Sequence, residues 1–138
     1  MKDGLEVGMS RTRRIDIDKG RTIGFMGEDL RVYATPEMVR DMEQTCLQFV
    51  KEFLDDNENS VGIRVEIDHM GPTLIGMWTD ITATVTEVKG PKISFDFEVH
   101  DQIDQVGRGK HARFVVELGQ QKSRLEAKRA KMSEAKGI

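Results

Sequence analysis

Residues 35–54, TPEMVRDMEQTCLQFVKEFL, decide how the rest of the chain is read. Thr35, Pro36 and Glu37 spell a helix start: a hydroxyl residue at the cap, a proline at the first helical position where its missing N–H costs nothing, and an acid in the first turn. Val39, Cys46, Val50 and Leu54 then recur at helical spacing, and Glu43 fills the gap in that apolar stripe. A carboxylate taken into the core without a partner costs several kcal/mol. An inward Glu43 must therefore be paired, hydrogen-bonded or protonated, and becomes a candidate acid or base. At the edge of the face it is a glutamate with its head in water. The helical period leaves both readings open. The polar run from Asp55 to Ser60 ends the helix.

On either side of this helix the period changes to two. Ile15 and Ile17 alternate within Arg14–Gly20, a first strand, and Gly20, Gly24 and Gly27 punctuate the loop leading to the helix. Beyond it, Val61, Ile63, Val65, Ile67 and His69 alternate with Gly62, Arg64, Glu66 and Asp68, which predicts a strand with Gly62 on its polar side. Gly71-Pro72-Thr73 and Gly76 turn the chain. A Thr-rich strand follows over 77–88, with Ile81, Ala83 and Val85 on one face. Lys89-Gly90-Pro91-Lys92 reads as a hairpin turn, Ile93, Phe95, Phe97 and Val99 as the next strand, and Val106–Leu118 as the last. One long helix followed by hairpin-linked strands predicts the α+β class, an antiparallel sheet wrapped around the helix.

The 138 residues, 38% hydrophobic and 33% charged, fit one globular domain. No apolar run is long enough to span a bilayer. Met1–Gly20 lacks the apolar core of a secretory signal, and the single cysteine, Cys46, cannot form an internal disulfide. Both features lead to the expectation of a cytoplasmic protein with no membrane partner. Cys46 falls on the apolar stripe, the place of a small core residue rather than a nucleophile. The net charge of −3 argues against a nucleic-acid partner. Charge is uneven, however. From residue 119 onward, Lys122, Arg124, Lys128, Arg129, Lys131 and Lys136 face only Glu126 and Glu134; this makes the tail +4 and leaves −7 for the remainder. A solvated, partly helical tail is the expected reading.

The chemistry-bearing residues are few. His69 continues the apolar side of its strand just before a turn. That is the position of a satisfied core histidine, or of a proton carrier if other groups converge on it. Thr35 offers a hydroxyl at a helix N-terminus, where free N–H groups favour developing negative charge. A hydroxyl, a carboxylate and an imidazole are the parts needed to activate a nucleophile and move its proton. Thr35 and Glu43 lie about 12 Å apart along a helix, too far to touch; a symmetric dimer could bring Glu43 of one subunit to groups of the other. Gly62 permits close approach to the backbone or simply begins the strand, and Arg113, flanked by apolar residues, suits either a carboxylate, phosphate or carbonyl or a place at the surface. Gly107 and Gly109 lack the spacing of a phosphate loop and read as a bulge. One cysteine and three scattered histidines, His69, His100 and His111, do not make a metal site, and no cofactor is expected.

Taken in order, Ala34-Thr35-Pro36, Met42-Glu43, Ser60-Val61-Gly62 and His69 followed by Pro72–Met77 closely resemble the fluoroacetyl-CoA thioesterase-like family of hot-dog proteins. Residues Thr84–Val88, Val99-His100-Asp101 and Gly107–Arg113 continue the match. It runs from about Leu5 to Leu118, making residues 1–118 the expected domain and 119–138 a basic C-terminal tail. The resemblance implies a hot-dog fold, a long central helix wrapped by an antiparallel sheet. It also implies a homodimer, or a tetramer, that hydrolyses acyl-CoA thioesters. The family's Thr/Glu/His set falls on Thr35, Glu43 and His69. Its substrate-contacting residues fall on Gly62, His69 and Arg113. The fluoroacetate-specific member carries an aromatic lid ahead of the threonine, whereas here Gly27–Tyr33 is shorter and has no phenylalanine, the nearest being Phe25.

The expectation is therefore hydrolysis of an acyl-CoA with a short acyl group at a dimer-interface site. Two alternatives stand beside it: a non-catalytic acyl-CoA sensor, and a hot-dog enoyl-thioester hydratase or dehydratase in which the threonine is dispensable. With Thr35 as the cap, its replacement by alanine is expected to cost about 1 kcal/mol of stability, measurable by urea denaturation.

Overall fold

Helix α1 spans Thr35–Lys51 and lies on a five-stranded antiparallel sheet in the computed structural model, which describes residues 1–135. The strands are β1 (Ser10–Asp16), β2 (Thr22–Ile23), β3 (Val32–Tyr33), β4 (Glu58–His69), β5 (Trp78–Lys89), β6 (Lys92–Asp101) and β7 (Gln105–Glu117). The sheet order is β1-β5-β6-β7-β4, and β2 and β3 form a separate small ribbon before the helix. The predicted α+β arrangement is present, with each long strand close to its expected place.

The inner face of α1 is carried by Met38, Met42, Cys46, Phe49 and Val50, packed on Ile81, Ala83, Val85, Phe95, Phe97 and Val99 of the sheet. This shifts the stripe read from sequence. Cys46, Val50 and Leu54 are buried as expected, but Val39 is only half-buried and Met38 and Met42 take the centre. An apolar face spans well over a quarter of a helix's circumference, so several adjacent stripes fit one pattern. Glu43 consequently sits at the border, half-buried and turned toward β4 and β7.

Strand β1 starts earlier than the Ile15–Ile17 alternation implied, because its outer half pairs through polar groups. Thr12 meets Thr82 at 2.8 Å, Arg14 pairs with Asp80 at 2.9 Å and stacks on Trp78, and Arg11 covers the Phe49 ring. Strand β4 departs further. Gly62 opposes Arg113 and Arg64 opposes Ala112, so Ile63 is an extra residue in the ladder, a β-bulge. Parity changes there: Ser60 and Gly62 lie on the helix side before it, and Val65, Ile67 and His69 after it. The expected placement of Gly62 on the polar side is thus overturned.

Gly107 to Gly109 pair regularly with β4, and the bulge expected there falls just before them on the other ladder, where Val99 of β6 opposes Gly107 and His100 opposes Gln105, leaving Val106 as the extra residue. Positions 107 and 109 are glycine for want of space. A Cβ on Gly107 would meet Met38 Sδ at 2.7 Å, and one on Gly109 would run into the Glu66 carbonyl and the Phe97 ring. After β7, helix α2 (Leu118–Ala135) is continuous and has no buried residue. Glu117 caps it, its carboxylate accepting from the N–H groups of Gly119 at 2.9 Å and Gln120 at 2.8 Å. The basic tail is therefore more regular than expected; its Lys136 lies outside the described residues.

Gly109→Ala is expected to destabilise the protein by about 3 kcal/mol or more, since a backbone oxygen cannot move aside as a side chain can. Urea denaturation of the purified variant measures it.

Candidate functional site

Two clusters of polar side chains form at opposite ends of β4. At its C-terminal end, His69 Nδ1 lies 2.7 Å from Oγ1 of Thr35. The hydroxyl is therefore not a helix cap: Ala34 holds the cap position without a side-chain bond, and Thr35 stands inside the first turn facing the imidazole. The cap-based cost expected for Thr35→Ala falls away with it. Tyr33 packs edge-on to His69, ring centroids 6.4 Å apart. Its hydroxyl donates to Asp41 at 2.5 Å, and Arg21 Nε donates to the same carboxylate at 3.0 Å. Burial, then the hydrogen bond to Asp41, push the Tyr33 phenol far above its usual range, so it remains a neutral donor anchoring the segment that leads into α1. Burial lowers the His69 pKa, opposed by a hydrogen bond with the Gly71 backbone. A neutral imidazole accepting at Nδ1 can take the threonine proton.

At the other end, the bulge brings Gly62 beneath three side chains. A Cβ on Gly62 would meet His111 Cε1 at 3.2 Å, Glu43 Oε2 at 3.3 Å and Arg113 Nη1 at 3.4 Å. The lack of a side chain at Gly62 is what lets carboxylate, imidazole and guanidinium converge. Arg113 is only 4% exposed, which removes the surface role that the sequence left open to it. Its Nε donates to Ser60 Oγ at 2.8 Å, Nη2 to the Ser60 carbonyl at 2.9 Å, and Nη1 to His111 Nε2 at 3.2 Å. Desolvation pulls its pKa down, with the neighbouring Cys46 and Glu43 opposing. The Cys46 thiol is pushed up to about 12, chiefly by burial, and is the inert core residue expected.

Thr35 and His69 are thus brought together, and so are Glu43, Gly62 and Arg113, but the two sets are not brought to each other. Gly62 and His69 pair with Arg113 and Gly107, six steps apart on β7, a separation of about 20 Å at extended spacing. Sequence reasoning missed His111 and Ser60. The signal was present: His111 stands two residues before Arg113 and so shares its face of β7. His100, by contrast, is exposed beside Glu98. Among the described residues no group of three or more His, Cys, Asp or Glu side chains is placed to hold a metal.

Residues 17–118 match the family described as fluoroacetyl-CoA-specific thioesterase. A fluoroacetyl-CoA thioesterase of Streptantibioticus cattleyicolor is 30% identical over 125 residues, covering 86% of this chain and 90% of that protein. A solved structure of the fluoroacetyl-CoA thioesterase FlK superposes with a TM-score of 0.83 at 27% identity, over 91% of this chain and 98% of that one. A thioesterase superfamily member from Thermus thermophilus shares the fold with a TM-score of 0.87 at 21% identity, over 96% of this chain and 98% of the other.

Both site imidazoles have native pKa values below 6.5, burial being the first cause in each. The unfolded chain then binds more protons as pH falls through that value. Their stabilising contribution is complete above about pH 6.5 and is lost on acidification toward the native values. The urea midpoint is expected to fall between pH 7.5 and 5.5, with a shallower fall in His111→Gln.

Proposed function

The chain belongs to the fluoroacetyl-CoA-specific thioesterase family, and we propose that it acts as a homodimer in which each active site takes half its side chains from either protomer. It is an acyl-CoA thioester hydrolase of the hot-dog fold. The observation that carries the shared site is the pair of half-sites at the two ends of one edge strand. Among the described residues β4 has β7 on one side and no strand on the other, and it exposes Val61, Ile63 and Val65, Ile63 at 51%. Such an edge is a template for pairing with a second copy. A two-fold pairing of β4 with itself, centred between Val65 and Glu66, sets Gly62 of one protomer opposite His69 of the partner subunit. Glu43 and Arg113 then face Thr35 and His69 across the interface.

In this site the thioester carbonyl lies over Gly62, where a backbone N–H and the Arg113 guanidinium stabilise the developing oxyanion. Glu43 attacks the carbonyl carbon or draws the proton from an attacking water, Thr35 contributes its hydroxyl, and His69 moves the proton to the departing CoA sulfur. Water adds across the C–S bond, giving free acid and CoA thiol. The Thr35–His69 hydrogen bond favours hydrolysis over the hydratase reading, which leaves the threonine idle. The acyl group is read as short, without fluoroacetyl selectivity, since the segment before Tyr33 has no phenylalanine and Phe25 stands 75% exposed. The catalytic domain is taken as residues 1–118 and the basic helix as an appendage of a cytoplasmic enzyme.

Free-thiol release from a panel of acyl-CoAs tests the reaction, and Glu43→Gln and His69→Ala are each expected to abolish it with folding intact. Mixing these two variants tests the shared site. Refolded together in equal amounts, half the dimers are mixed and one of their two sites is whole, so about a quarter of wild-type activity should return. No recovery on mixing would place the whole site within one protomer. Loss of an enoyl absorbance without free thiol would identify a hydratase, and tight binding with neither signal a sensor.

A further inference from the structure

We propose that His111, seated behind Arg113, is a positioning residue that aims the guanidinium at the thioester and pins the bulge exposing Gly62. The inference rests on the thioesterase reading above. His111 is 1% exposed and holds two groups at once. Its Nδ1–H donates to the carbonyl oxygen of Arg64, the first paired residue after the bulge, at 2.8 Å. With the proton committed to Nδ1, Nε2 is left as an acceptor, and Arg113 Nη1 donates to it at 3.2 Å.

A guanidinium has five N–H donors; Ser60 takes two and His111 one, leaving two. The nitrogen held by His111 is the one 3.4 Å from the Cβ position of Gly62, so it is the nitrogen facing the crevice. No carboxylate hydrogen-bonds to Arg113 among the described residues, so its two remaining N–H groups are left for an incoming group, with Glu43 standing nearby across Gly62. Leucine at position 111 would remove the side-chain bond to the Arg64 carbonyl and leave the Arg113 N–H without its partner. The guanidinium could then swing, and a displacement of about 1 Å at such a group is enough to cost two orders of magnitude in rate. A protonated His111 would have no lone pair for Arg113 and would set two cations side by side, so the neutral form is the working one.

Kinetics of His111→Leu and His111→Gln, alone and in an Arg113→Met background, test the proposal. Leucine is expected to lower kcat about fiftyfold with KM changed less than about threefold. Glutamine keeps a donor and an acceptor on one plane and should recover kcat to within about fivefold of wild type. In the Arg113→Met background the leucine change should cost less than about threefold, because the group it acts through is gone. Unchanged kcat in folded His111→Leu, glutamine as slow as leucine, or an undiminished loss in the Arg113→Met background would each overturn it. If the leucine variant does not fold, His111→Asn, too short to hold both the Arg64 carbonyl and Arg113, takes its place, and unaltered turnover in that folded variant would overturn the proposal. Wild-type protein that releases no thiol from any acyl-CoA sinks the thioesterase reading itself, a separate outcome.

Discussion

Ile63 has no partner on β7, so the ladder that pairs Gly62 with Arg113 resumes with Arg64 opposite Ala112, and the side-chain parity of β4 changes between them. The geometry of the candidate site follows from that extra residue. Without it, either Gly62 or His69 would face away from the helix, because a strand of uniform parity cannot place an even-numbered and an odd-numbered position on one side. With it, both ends of β4 present functional groups to the helix side. The bulge is held from behind by the His111 hydrogen bond to the Arg64 carbonyl.

Electrostatics at the two ends differ in kind. Thr35 and His69 bond each other as neutral groups, and behind Tyr33 the charges of Asp41 and Arg21 offset one another in an ion pair. Around Gly62 a buried guanidinium is held only by neutral acceptors, with a glutamate beside it. A buried charge without a directly bonded counter-ion is costly to a fold. Its retention fits a group that meets an oxygen developing negative charge. Proton-transfer groups at one end of β4 and charge-bearing groups at the other form two half-sites, which the two-fold pairing proposed above would bring together.

Core and site make different demands on α1. Met38, Met42 and Phe49 fill space between helix and sheet, and their flexible or aromatic bodies adapt to it. Glu43 leaves that face by one position and points where the sheet opens over Gly62. Glycines 107 and 109 let the helix and β4 come close to β7. The same close approach brings Glu43 within reach of the strands.

Local period and composition determined the long helix, the four long strands after it, their antiparallel class and the inert character of Cys46, since each rests on spacing along the chain or on burial of one side chain. The resemblance to a known family named Thr35, Glu43, Gly62, His69 and Arg113 without showing how they meet. Only the tertiary structure decided that Thr35 bonds His69 instead of capping its helix, that Gly62 faces inward, and that His111 and Ser60 hold Arg113. Each of these depends on where one strand sits against another, and a single bulged residue, invisible in the alternation of Val61 to His69, reverses that placement for everything beyond it.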